Sequence, residues 1–487
     1  MAKQPEKTAE TQRRLRAPIT TVILIACIFS LAFLYVSGIP LYISVTLALL
    51  ALVVTGVIIS NTNGLPGSYG LYMLGGRRGI GTVEWLSKRN KKVWRFFTEW
   101  GIVMGFGILA YFILRRRISM KMMAFGIASL ILMMVTVLPN LFLSIQFIKI
   151  PGVNSLAYAS VPFQGISLSY SPILYIISIA AGSLGFMLSL IIGAAAQILA
   201  GVGMALYGIA IGHPNTSQLS QQIPGLVPVI PGITIPLFAG ILSLALLLVV
   251  HEFSHGVMAR MAKVKIKQIG LILFGIIPIG AFVEPDEKAV AKLKPDTQTE
   301  IFIAGISANF LFSFIFFMLT AFMAVFVMPA FFRQGIVVSS LLPGYPAYNV
   351  IAPGSIILSW NGHQVSNITS LTAATAKDGP YSNISVMTNK GSNFFHTNAT
   401  GRIGVELSQA SIPRSTGLQN GFVNFLYAFV VLSFALNFLA ATINLLPVPA
   451  FDGWRIYKNK FSKKVLIVFA VLIVASLLVL ALPWIWA

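Results

Sequence analysis

Apolar residues fill long stretches of this chain. The stretches are too long for the alternation of a half-buried strand and too evenly apolar for the one-sided stripe of a surface helix. Those near 19–37, 41–60, 123–145, 173–191, 193–211, 237–262, 301–328, 421–446 and 465–486 approach or exceed the roughly 20 residues that carry a helix across a bilayer. The run 173–211 is uncharged for 39 residues and predicts a hairpin of two spans. Residues 101–114 are apolar but short, with basic residues on both sides; they read as interfacial or re-entrant, with a tenth span as the alternative. Two segments break the pattern. Residues 268–283, QIGLILFGIIPIGAFV, are too short and too rich in Gly and Pro for a span, and predict a re-entrant β-hairpin. Residues 329–420 hold no spanning run. Short β-prone runs at 335–339, 355–360, 384–388 and 403–407, turn signals at Asn361-Gly362 and Lys390-Gly391, and a short helix over Ser370–Ala376 predict a small extramembrane α+β domain there. The expected fold is thus a polytopic α-helical membrane protein of about nine transmembrane helices, with a β-hairpin and one small inserted domain.

Composition agrees, since 56% of residues are hydrophobic and only 10% charged, too few for a soluble surface at 487 residues. The net charge of +21 does not point to nucleic acid, because the basic residues cluster in loops beside the spans and no recognisable nucleic-acid module accompanies them. Instead they orient the chain. With the N-terminus inside, the cytoplasmic segments 1–17, 61–100, 115–121, 260–300 and 447–464 hold 28 of the 34 Lys and Arg residues. Four N-x-S/T sequons, at Asn215, Asn367, Asn383 and Asn398, all fall in the external segments. The expectation is a multi-pass cell-membrane protein with a cytoplasmic N-terminus and the inserted domain outside. The basic start followed by Ile19–Tyr35 reads as a retained first helix rather than a cleaved signal. The single cysteine, Cys27, excludes an intrachain disulfide and a cysteine metal site.

Candidate chemistry sits inside the apolar stretch LFAGILSLALLLVVHEFSHGVMARMA, residues 237–262. Positions i and i+4 of a helix share a face, so His251 and His255 can reach one zinc ion, with Glu252 placed to take a proton from water. Glu252 is also the one acid inside any expected span, and an ionisable group in a bilayer is functional by default. Catalytic zinc usually takes three protein ligands. His213, His363 and His396 lie in external segments; among the acids Asp452 stands out, following Asn444-Leu-Leu-Pro447-Val-Pro449-Ala-Phe451 where two prolines stop a helix. Taken alone, Asp452 reads first as a plain loop carboxylate.

Together, His251-Glu252-x-x-His255 and Asn444-x-x-Pro447-x-x-x-x-Asp452-Gly453 resemble the site-2 protease family of intramembrane zinc metalloproteases. Gly305-Ile-Ser-Ala-Asn309 resembles that family's Gly-x-x-x-Asn element. Gly280-Ala-Phe-Val-Glu284-Pro-Asp286 resembles the segment after the first catalytic helix in prokaryotic members. Trp454 stands where the family often has a second glycine. The resemblance implies Zn2+ as cofactor, His251, His255 and Asp452 as its ligands, and Glu252 as general base. Asn309 and Asn444 would lie at the substrate or behind the ligands; plain interhelical hydrogen bonding is the other reading. Pro346-Ala347 and Ala352–Gly362 make the insert resemble a PDZ-like domain, with Gly335-Ile336-Val337 as a capture loop for a substrate C-terminus.

The expected organisation is an N-terminal membrane region of unassigned role (1–236), two parts of a catalytic membrane core (237–328 and 421–464), the PDZ-like domain between them (329–420), and a last transmembrane helix (465–487). The expected function is hydrolysis of a peptide bond within or near a transmembrane segment of a protein substrate embedded in the lipid bilayer. A membrane metal transporter using the same His/Asp cluster is the alternative.

Overall fold

The computed structural model describes residues 4–77, 79–113, 118–145, 172–212, 228–415 and 417–485. His213 and Asn215 lie outside the described residues. Contacts divide the chain into two compact units, one made of Met1–Ile102, Leu246–Asn309 and Asp452–Phe461, the other of Val103–Ala245, Phe310–Phe451 and Ser462–Ala487.

The first unit opens with two long helices, α1 (Gln4–Val36) and α2 (Leu41–Asn63), joined where Asn63 donates to Thr20 Oγ1 at 3.1 Å. A sheet follows from sequence-distant strands: β1 (Gly67–Ser68) and β2 (Leu71–Gly76) precede helices α3 (Ile80–Lys88) and α4 (Lys91–Phe106), while β3 (Ile266–Phe274) and β4 (Ile277–Pro285) form the expected hairpin. The order is β1-β2-β3-β4, all antiparallel, with Leu71 opposite Phe274 and Gly76 opposite Ile269. The hairpin is therefore half of a four-stranded sheet. Its β3 edge is already paired, and the Tyr72 hydroxyl donates to the Gly275 carbonyl at its turn. Beneath it, Met258, Val264, Ile266, Val283, Ile301 and Ala304 form the core that packs the sheet on the helices bearing the chemistry, α8 (Leu237–Met261) and α10 (Pro295–Phe322).

The second unit contains α5 (Ala110–Ile113), α6 (Met120–Ile145), α7 (Pro172–Ala210), α13 (Leu418–Ile443) and α15 (Lys463–Ala481), together with the inserted domain. Here the expected pair of spans 173–191 and 193–211 is corrected. Residues 172–210 form two helical stretches that meet in a kink at Gly182 (φ 64°, ψ −158°), not at the expected turn near residue 192. A reversal needs turn residues, and Gly193-Ala-Ala-Ala at the expected turn has helical neighbours on both sides and no partner to turn it. The break falls instead where two backbones cross: a Cβ on Gly182 would overlap the Gly105 carbonyl, and one on Gly107 (φ 55°) the Ile179 carbonyl.

The inserted domain is a six-stranded antiparallel sheet with one helix. Its strands are β5 (Phe332–Leu341), β6 (Ile356–Trp360), β7 (His363–Gln364), β8 (Asn383–Thr388), β9 (Gly391–His396) and β10 (Val405–Pro413), ordered β10-β5-β6-β8-β9 with β7 on β6. The helix, α12 (Ile368–Thr375), is capped by Asn367 and Ser370. Ile336, Ile357, Trp360, Ile384 and Val386 form its core. The α+β expectation describes this domain, but the capture loop does not survive: Gly335–Val337 lies mid-strand in β5, with β10 on one side and β6 on the other, so its backbone is fully engaged.

Among the described residues, six helices are long and apolar enough to cross a membrane, and the shorter apolar helices Pro18–Leu34 and Met120–Met134 fall on two further expected spans. Two elements remain: α9 (Glu287–Ala291) and α11 (Met328–Phe331), which leads into β5.

Gly182→Ala forces a side chain into a left-handed backbone against a second backbone, at a cost of about 1–3 kcal/mol from the dihedrals alone. The melting temperature of the purified protein in detergent falls by several degrees. Gly203→Ala, mid-helix with open space around it, holds or raises it. Equal melting of both variants would show that the crossing imposes no constraint.

Candidate metal centre

α8 is apolar along most of its length, and His251, Glu252, Ser254, His255 and Arg260 gather in its last turns. His251 and His255, one turn apart, bring their Nε2 atoms within 3.2 Å of each other. The third group comes from far along the chain. After α13, residues Asn444–Phe451 form turns around Pro447 and Pro449, and Asp452 opens the short helix α14 (Asp452–Lys458). Its Oδ2 lies 3.0 Å from His251 Nε2 and 3.1 Å from His255 Nε2. Burial acts to raise the Asp452 carboxyl, but the two imidazoles beside it outweigh this and hold it well below the usual carboxylate range. It is therefore an anion at neutral pH, the form that binds metal.

α10 supplies what the three donors need behind them. Gly305 faces the imidazoles: a Cβ there would lie 2.8 Å from His251 Cε1 and Nε2 and would overlap His255 Nε2. One turn earlier, the Ile301 carbonyl accepts from His255 Nδ1 at 2.7 Å, which leaves the Nε2 lone pair facing the cluster. One turn later, the amide of fully buried Asn309 lies 3.0 Å from His251 Nδ1. Its Oδ1 is buried without a partner. Turning the amide end for end pairs that oxygen with an Nδ1–H of His251, and this too leaves Nε2 bare. Ile301, Gly305 and Asn309 are spaced by four, so one face of one helix holds both rings at their Nδ1 atoms and clears the space in front of them.

These features fit a zinc ion. Legs of 2.0–2.1 Å in tetrahedral array place ligand atoms about 3.3 Å apart, close to the 3.0, 3.1 and 3.2 Å found. Two imidazoles and one carboxylate also leave a fourth position, as catalytic rather than structural zinc sites do. Among the described residues this is the one group of three or more His, Cys, Asp or Glu able to hold a metal.

Glu252 points to the sheet, where Oε2 accepts from the Val283 backbone N–H of β4 at 3.2 Å. Sequence reasoning missed Val283, and no pattern of side chains marks a backbone donor. Asn444 is not brought to the cluster: it caps α13, and its side chain donates to the Ala440 carbonyl of its own helix. His363 and His396 sit on β7 and β9 of the inserted domain.

The geometry resembles a metallopeptidase centre: two histidines one turn apart, an acid beside the first, and a carboxylate from a distant helix within reach of both, all within a multi-pass membrane protein. The sequence model of peptidase family M50, the site-2 protease family, matches residues 239–481, which include every residue of the centre. The chain belongs to that family. It is also 26% identical over 258 residues to a protein of Methanocaldococcus jannaschii described as uncharacterized. The match takes in 48% of this chain and 63% of that relative, less than two thirds of its length.

Asn309→Ala lowers metal affinity about 10–100-fold by freeing the His251 ring, and Gly305→Ala abolishes binding by filling the space in front of both rings. Zinc titration against a chelator, with circular dichroism as a fold control, measures both. Wild-type affinity in Gly305→Ala would show that the rings need no such space.

Proposed function

We propose that this protein is a zinc-dependent intramembrane protease that hydrolyses a peptide bond within or near a transmembrane segment of its substrate. The observation that carries the reading is the convergence of three donors on the apolar helix α8 with Glu252 beside them. A zinc ion held there supplies Lewis acidity, which polarises a carbonyl and makes water acidic enough to lose a proton near neutral pH. Glu252 takes that proton and delivers it to the leaving amine; the Val283 N–H holds one of its oxygens and leaves the other for transfer. β4 is an outer strand of its sheet, next to Glu252 through Val283, and its free edge suits strand pairing with an unwound substrate segment. A helical peptide bond is shielded by its own hydrogen bonds, so unwinding must precede attack. Asn444, on the strength of the family resemblance alone, is assigned to the substrate.

A metal-transporter reading draws no support from the site. Transport needs ligands in succession, whereas the described residues gather theirs at one point behind fixed tautomers.

Depth and orientation follow from the helices. His251 lies nine residues before Arg260, about 14 Å along the axis, so water reaches the site from the end of α8 where the basic residues gather. Treating α7 as one crossing instead of two would invert everything after it. The broken stretch from α4 to α5, residues 91–113, restores the count if it crosses: its 23 residues extend about 34 Å. In that arrangement 25 of the 34 Lys and Arg residues remain cytoplasmic, Arg115–Arg117 and Lys121 move outside, and all four sequons stay outside. The active-site opening is then cytoplasmic. The inserted domain is external, where a PDZ-like role in holding a substrate terminus, or in excluding bulky ectodomains, fits its position.

Glu252→Ala abolishes cleavage of a single-span substrate in detergent and keeps its zinc, while Asp452→Asn loses both. Metal analysis beside the peptide assay separates them, and an active Glu252→Ala enzyme would end the mechanism.

Single cysteines test the orientation. One at Ser366 or Ser119 reacts with an impermeant reagent on intact cells, and one at Lys292 only after permeabilisation. Protection of Ser119 would place 91–113 back on the cytoplasmic side.

A further inference from the structure

Helices α3 and α4 carry a feature that proteolysis does not use. Their inner faces are bound into the first unit. A Cβ on Gly256 of α8 would lie 3.3 Å from Val83, Glu84 pairs with Arg260 at 2.9 Å, and Thr98 lies 3.9 Å from Met258 Sδ. Their outer faces are different in kind. Trp85 is 51% exposed, Val93 47% and Phe96 42%. Among them stand five exposed cations, Lys88, Arg89, Lys91, Lys92 and Arg95. The one carboxylate between Ile80 and Phe97 is Glu84, already paired. Of the five cations, none forms an ion pair among the described residues, and the Arg89 guanidinium lies 4.3 Å from the centre of the Trp85 ring.

We propose that this outer face is a docking surface for anionic lipid headgroups. The chemistry matches a membrane-interface segment made of α3 and the first turns of α4: aromatic and aliphatic side chains for the acyl boundary, and cations at the level of the phosphates. The chain itself places it at that level, since α2 ends a membrane span at Asn63, seventeen residues before α3 begins. Unpaired cations beside exposed apolar groups favour a surface both negative and apolar, which an acidic soluble partner is not. Because the same two helices grip α8 through Val83, Glu84 and Thr98, the headgroups fix the depth of the helix bearing His251 and His255. The inference does not depend on what the metal centre does.

The test uses full-length protein in phosphatidylcholine vesicles containing brominated phosphatidylglycerol or brominated phosphatidylcholine at equal mole fraction. The difference in quenching between wild type and Trp85→Phe isolates Trp85. Phosphatidylglycerol is expected to quench Trp85 about two-fold more strongly. Replacing Lys88, Arg89, Lys91 and Lys92 by Gln removes the preference but leaves quenching by phosphatidylcholine, which shows that the helices still meet the bilayer. Equal quenching by the two lipids in wild type, or a preference that survives the four substitutions, overturns the proposal. Absence of quenching by either lipid, with salt-sensitive binding of a polyglutamate peptide, overturns it in favour of an acidic protein segment.

Discussion

Everything at the centre depends on how closely one helix backbone approaches two imidazoles. Side chains normally hold packed helices 8–10 Å apart, and that spacing would leave no space in which His251 and His255 can turn toward a common point. Gly305 removes the obstruction, and the residues one turn to either side, Ile301 and Asn309, then hold the two rings by their Nδ1 atoms. The ligands cannot be understood from α8 alone. Its sequence places the imidazoles on one face, and α10 decides which nitrogen each presents. Asp452 completes the set only because Pro447 and Pro449 end α13 and let the chain return.

The β-sheet answers a second demand of the same site. A carboxylate that must accept a proton needs an orienting donor that is not itself a titrating group, and a strand edge offers backbone N–H groups at fixed intervals. Glu252 uses one at Val283. β3 is paired on both sides, by β2 and by β4, which leaves β4 as one outer strand and short β1 at the opposite edge. On the proposed function, holding the base and offering an edge to substrate would both fall on β4.

The sequence made parts of this legible and not others. His251, Glu252 and His255 were visible because polar groups stand out in an apolar helix, and Asp452 became visible through the motif that surrounds it. The strands β5, β6, β8 and β10 were marked by β-branched runs between turn residues, whereas β9, with Asn393, Phe394 and Phe395, carries too weak an alternation. β2 was hidden for another reason. Leu71–Gly76 becomes a strand by pairing with β3 almost two hundred residues later, and no local signal records that partner. The division of α7 was misplaced because length alone argued for a turn near its middle, while the break came at Gly182, where another glycine-lined backbone crosses it. Local pattern shows which residues leave water; it does not show which backbone they will meet.

Charge favours a carboxylate over another histidine as the third donor of such a cluster. His251 is only 8% exposed and the surrounding helices are apolar, so a divalent cation held by neutral groups alone would carry its full charge into a poor solvent for ions. Were such an ion held here, Asp452 would cancel one unit and Glu252, next to His251 in sequence, the other. The assembly of ion, ligand and base is then neutral as a whole before substrate enters. On the proposed mechanism a base at Glu252 would gain as well: with its proton taken up, a single positive charge would remain close to where an oxyanion develops. A third imidazole would serve the coordination geometry equally well, but it would leave the buried assembly positive throughout.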